Sequence, residues 1–90
     1  MRVALICRDK PGALQTRLDN RAAHLAHIEA SGVVELAGPF LDEAGAMTGS
    51  LIVLNVGTLD EAKAWAAADP YAKAGLFDSV AISEWKKVIG

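Results

Sequence analysis

The stretch that most constrains the fold is Gly49–Val56, GSLIVLNV. In an extended chain successive side chains point to opposite faces. Ile52, Leu54 and Val56 then share one face, and Leu51 and Val53 the other. A strand that is apolar on both faces is covered on both sides. Arg2–Arg8 is of the same kind, with Val3, Ala4, Leu5, Ile6 and Cys7 in one run between charges. Two such strands need more cover than two short helices in one chain can supply.

Between and after these strands the punctuation is plain. Asp9-Lys10-Pro11-Gly12 ends the first strand, because Pro-Gly is a strong turn signal. Ala13–Leu18 reads as a brief helical turn. Asp19–Ser31 reads as the first helix, with Asp19 or Asn20 as N-cap and Gly32 as its stop. Val33–Ala37 is a second strand closed by Gly38-Pro39, and Phe40–Thr48, with Asp42, Glu43 and Gly45, reads as a hairpin loop. Thr58-Leu59-Asp60-Glu61 is a capping box that opens a helix running to about Ala68, with Trp65 as its bulky anchor. Asp69-Pro70 ends that helix, Tyr71–Asp78 is a loop or short turn, Val80–Trp85 is the last strand and Lys86–Gly90 a tail.

The order is β-α-β-β-α-β. It predicts an α+β, ferredoxin-like chain with a four-stranded antiparallel sheet and both helices on one face. Ninety residues without repeat or linker read as a single domain, residues 1–90. The uncovered apolar face predicts a homodimer, sheet against sheet.

Composition narrows the function. A net charge of −2 and the lack of exposed stacking aromatics on the central strands argue against nucleic acid, RNA included. All four arginines, Arg2, Arg8, Arg17 and Arg21, fall in the first 21 residues with Lys10. This basic third either steers a small anion to that end or is solvated surface charge. The single cysteine, Cys7, excludes an internal disulfide and reads as packing in a buried strand. The opening apolar run is far too short for a signal or a membrane span, so a soluble cytoplasmic protein is expected.

His24 is the best chemical candidate. At 100° per residue Arg21, Leu25 and Ile28 define the inward stripe of the helix, with His24 on its flank and His27 turned toward solvent. The topology brings Asp9, Arg21, His24 and Asp69 to one end of the molecule. A histidine there can give or take a proton near neutral pH, and a carboxylate can fix its tautomer and raise its basicity. The helix N-terminus favours the neutral ring. Asp9 and Asp69 equally suit plain turn chemistry before Pro-Gly and Pro. An inward arginine at Arg21 calls for an anion or carboxylate partner, with Arg17 one turn earlier. Ser50 and Tyr71 can line the pocket, or Tyr71 can simply pack. His24 and His27 are spaced H-x-x-H, but zinc needs three or four converging ligands, so no metal is expected, and no cofactor motif is present.

The chain resembles the YciI-related family of the dimeric α+β-barrel superfamily. The resemblance rests on Asp9-Lys10, Arg17-Leu18, Arg21-Ala22-Ala23-His24-Leu25, Ala37-Gly38-Pro39, Thr48-Gly49-Ser50, Ala68-Asp69-Pro70-Tyr71, Ala74-Gly75 and Lys86-Lys87-Val88, and covers essentially the whole chain. It implies a ferredoxin-like protomer, a dimer built on the sheet faces, and a pocket with a His–Asp dyad, which by matching positions is His24 and Asp9. The expectation is a small enzyme of isomerase or lyase type. His24 would move a proton on a small anionic organic substrate held by Arg21 or Arg17, with Asp69, Ser50 and Tyr71 around it. The alternative is a ligand-binding or accessory module that uses the same pocket.

Overall fold

The computed structural model describes residues 1–90. Strand β1 (Arg2–Asp9) leads to helix α1 (Leu14–Ser31), strands β2 (Val34–Leu41) and β3 (Met47–Asn55), helix α2 (Leu59–Ala68), the single turn α3 (Pro70–Lys73) and strand β4 (Phe77–Trp85). The four strands form one antiparallel sheet in the order β2-β3-β1-β4. The two apolar runs are therefore the two central strands, as the ferredoxin-like reading requires. No helix is long and apolar enough to cross a membrane.

Several boundaries move, each for a physical reason. Helix α1 begins at Leu14 and absorbs the expected separate turn, so Asp19 and Asn20 sit inside it and cap nothing. Its N-cap is Ala13, with no side-chain cap bond; the helix gains its early turns from Arg17, whose side chain is buried and paired. Gly32 ends the helix in the left-handed region at φ 66°, where a side chain would be strained. Strand β2 runs through Gly38-Pro39 to Leu41. A proline normally interrupts a ladder, but β2 is an edge strand, where the missing N–H goes unused. The hairpin loop shrinks to 42–46, held by Asp42 Oδ1, which accepts from the N–H of Ala44 and of Ala46 at 2.9 Å each. Asp69 caps a further helical turn, accepting from Tyr71 N–H at 3.0 Å with Pro70 in the first turn, so Tyr71 lies in the single turn α3, the short turn of the two expected alternatives. The capping box forms with one change: Thr58 Oγ1 accepts from Glu61 N–H, while the Glu61 carboxylate reaches back to Gly57 N–H.

The core lies between the sheet and the helices. Val3, Leu5, Cys7, Ile52, Leu54 and Val56 meet Ala62 and Trp65 from α2. At the site end of β3, Gly49 lies opposite Arg8 and Phe40, and a Cβ there would run into the Cys7 carbonyl oxygen, so this register needs glycine. On the other side of the sheet Ile6 and Leu36 are 39% and 50% exposed, with Trp85 at 41% at its end. Val53, between them on this face, is buried, while these larger side chains at its borders stay partly open.

Candidate functional site

Helix α1 buries only two residues, Arg17 and His24. The expected inward stripe of Arg21, Leu25 and Ile28 is thus displaced. Arg21 and Leu25 are exposed, and all three line the mouth of a cavity instead. The longer helix and two buried polar pairs set the rotation: polar side chains reach the core side because carboxylates wait there.

The first pair is Arg17 with Asp9 at the end of β1. Arg17 Nε donates to Asp9 Oδ2 at 2.7 Å and Nη2 donates to Asp9 Oδ1 at 2.8 Å. Nη2 also donates to Ser50 Oγ at 3.0 Å. Burial disfavours the Arg17 charge, but the bonds and charge of Asp9, together with Tyr71, outweigh it and raise its pKa. The second pair is His24 with Asp69, at 2.7 Å between Nδ1 and Oδ1. The His24–Asp9 pairing implied by the resemblance does not form. Asp9 is engaged by Arg17, and Asp69, placed by the turn into α3, takes the histidine.

An ionised carboxylate only accepts, so the proton of a neutral His24 ring sits on Nδ1. Nε2 then carries the lone pair. It has no protein partner, and no buried polar side-chain atom is left unpartnered, so Nε2 is not sealed from solvent. Arg17, His24, Ser50 and Tyr71 all line one cavity of about 150 Å³, walled by Ile28, Pro39, Met47 and Ile52.

Tyr71 joins the two pairs. Its ring stacks on His24 with centroids 3.9 Å apart and planes 15° off parallel, while the Arg17 guanidinium lies 4.8 Å from the same ring's centroid. Phe77 meets its edge at 6.0 Å. Tyr71 thus contacts the helix partner of each pair, Arg17 and His24. Arg17 and His24 are seven residues apart on the helix, about 10 Å of rise, which leaves room for one ring. Sequence reasoning missed this role; the available signal was Asp-Pro-Tyr as cap, first turn and anchored aromatic.

Other candidates separate from this cluster. His27 does not face solvent: Nε2 lies 3.2 Å from the Trp65 carbonyl oxygen and the ring tilts against the Trp65 indole at 4.5 Å. No group of three His, Cys, Asp or Glu side chains converges to hold a metal. Cys7 is buried, and burial pushes its thiol from 9.0 up to about 12, the Asp69 carboxylate adding to the shift. Burial likewise raises the Tyr71 phenol above 10.0, against the nearby Arg17 and Arg21 charges.

These two shifts fix an alkaline limit on stability. Both groups keep protons in the folded chain that the unfolded chain releases. Stability is therefore full below pH 9 and falls as pH rises toward about 12, by at most ~1.4 kcal/mol per pH unit from Cys7. Urea unfolding across that range should show this slope, and Cys7→Ala should make it shallower, leaving the Tyr71 contribution. A slope unchanged in that variant would show that the thiol titrates as in the unfolded chain.

The fold has known counterparts. An antibiotic biosynthesis monooxygenase shares its α+β fold, at TM-score 0.61 with 98% of each chain covered and 10% identity. Within that fold the chain belongs to the YCII-related domain family, whose model matches residues 1–86. It is 36% identical over 97 aligned residues to Protein YciI of Escherichia coli O6:H1, covering 98% of this chain and 99% of that one, and matches Protein YciI of Shigella flexneri equally. Among solved structures it is similar to the 5-chloro-2-hydroxyhydroquinone dehydrochlorinase TftG of Burkholderia phenoliruptrix AC1100, in complex with 2,5-dihydroxybenzoquinone. The match has TM-score 0.87 and 36% identity, and covers 96% of this chain and 94% of that one.

Proposed function

We propose that this chain is a small enzyme in which His24, oriented by Asp69, moves protons on a monocyclic, anionic organic substrate in a lyase- or isomerase-type reaction. The observation that carries this reading is the 2.7 Å contact between His24 Nδ1 and Asp69 Oδ1; a carboxylate there favours the proton on Nδ1 and leaves Nε2, which is not sealed from solvent, as the basic nitrogen of a residue lining the cavity. A cavity of about 150 Å³ takes one six-membered ring. Arg17 and Arg21 supply positive charge at its wall, with Ser50 and Tyr71 as further polar contacts.

The similarity to TftG supports an elimination on an oxygenated ring. Loss of HCl from a chlorinated hydroxyhydroquinone is redox-neutral. Two hydroxyl protons leave, one proton is delivered to the carbon bearing chlorine, and chloride departs with the bonding pair. A single histidine that gives a proton and takes one back suffices for those transfers. The assay is chloride release from 5-chloro-2-hydroxyhydroquinone and related halogenated phenols above the no-enzyme rate. Binding of such rings without chloride release or isomerisation would favour the alternative, a non-catalytic binding module that uses the same pocket.

The open sheet face belongs to the same proposal. Ile6, Leu36 and Trp85 stand exposed on it, and a second copy seated there gives a homodimer. Light scattering at micromolar concentration is expected to give twice the 9.4 kDa of one chain. A mass of one chain would overturn it.

A further inference from the structure

His24 and His27 lie one turn apart on α1, and both reach the junction between α2 and α3. His24 meets the Asp69 carboxylate; four residues earlier in the chain, His27 meets the Trp65 carbonyl. That carbonyl lacks its usual helical partner, the N–H of Asp69. Pro70 has no N–H to give Ala66 O, and the Asp69 N–H takes that oxygen instead, at 3.3 Å. His27 Nε2 stands 3.2 Å from the Trp65 oxygen in its place. A carbonyl oxygen only accepts, so Nε2 carries the proton in this contact. No basic residue lies in the last turn of α2, and the ring from α1 supplies the donor that this helix end lacks.

The Trp65 side chain is tied to the same helix. Its Nε1 donates to Ser31 Oγ at 2.9 Å, and the His27 ring lies 4.5 Å from the indole. Trp65 is part of the buried core, so the last turn of α2 is fixed from both sides. The chain leaves that turn at Asp69 in an extended conformation. Where the carboxylate sits therefore depends on where Trp65 is held. We infer that His27 is a positioning residue: by donating to the Trp65 carbonyl it fixes the end of α2 and so sets the Asp69 carboxylate against His24 Nδ1. The effect of His27 on turnover rests on the acid–base reading of His24, whereas its effect on the His24–Asp69 pair does not.

The test reads the ring protons directly, by nitrogen-15 NMR at mildly alkaline pH. Wild-type protein is expected to show His27 protonated on Nε2 and His24 on Nδ1. His27→Phe keeps a ring against Trp65 and removes the donor. In it the His24 Nδ1 proton should exchange with solvent about tenfold faster, and a His24 form protonated on Nε2 should become visible. His27→Gln, whose amide can donate to the same carbonyl, should bring the exchange back to within about twofold of wild type. Ser31→Ala removes the acceptor of the Trp65 indole and leaves the carbonyl alone, so it should lower stability without moving the His24 proton. Where a halogenated phenol is turned over, kcat in His27→Phe should fall about tenfold with KM unchanged. A wild-type His27 protonated on Nδ1 would overturn the positioning role whether or not any variant folds. Unchanged His24 signals in His27→Phe, no rescue in His27→Gln, or an equal disturbance in Ser31→Ala would overturn it too. A disturbed His24 proton in a protein that turns over no substrate would refute only the catalytic reading.

Discussion

Asp69→Asn is expected to lower turnover about 10²- to 10³-fold while leaving the fold in place. The carboxylate accepts from His24 Nδ1 at 2.7 Å and also from the Tyr71 N–H. An asparagine keeps the shape, but its amide can donate to Nδ1, which puts the ring proton on Nε2. The nitrogen that faces the cavity would then carry the proton and have no lone pair with which to act as a base. The loss should fall on kcat, because the cavity wall is otherwise unchanged. His24→Ala, which removes the ring altogether, should leave only background. If chloride release in Asp69→Asn stayed within about twofold of wild type, the orienting role of Asp69 would be lost. Asp9→Asn serves as the contrast: Asp9 does not touch His24, so its effect should appear in stability before it appears in turnover.

Arg17→Met is expected to be the most destabilising single change, at about 3–5 kcal/mol. The Arg17 and Asp9 side chains are 3% and 6% exposed, and the guanidinium satisfies both Asp9 oxygens and Ser50. Removing it strands a buried carboxylate. A loss of that size is a large share of the ~5–15 kcal/mol that holds a small domain folded. The double variant Arg17→Met, Asp9→Leu removes both charges and should recover much of the loss, since a buried pair is often replaceable by apolar groups of similar size. Urea denaturation of the single and double variants measures this. A single-variant cost under about 1 kcal/mol would mean the pair is screened as a surface bridge is.

The fold was readable from two strands. Val3–Cys7 and Leu51–Val56 are apolar on both faces, and only central positions in a sheet suit them. The site was readable in membership and not in pairing. Asp9, Arg17, His24, Ser50, Asp69 and Tyr71 do meet, because the ends of β1 and α2 and the front of α1 share one edge. Which carboxylate takes which cation depends on the rotation of α1, and helical periodicity of apolar residues gave the wrong rotation. The stripe of Arg21, Leu25 and Ile28 borders the cavity, while the buried line is Arg17 and His24. A helix that packs charged side chains inward against waiting carboxylates leaves no hydrophobic signature to count. His27 was misplaced for the same reason, its partner being a backbone carbonyl at Trp65.

The Asp69 Oδ1 atom accepts two bonds, one from the His24 ring and one from the Tyr71 backbone. The short turn it caps thus cannot melt without releasing the imidazole as well. Exchange of the Tyr71 amide proton with deuterated solvent therefore clocks the lifetime of the assembled cluster. A ring that fills the cavity should slow that clock in proportion to its occupancy.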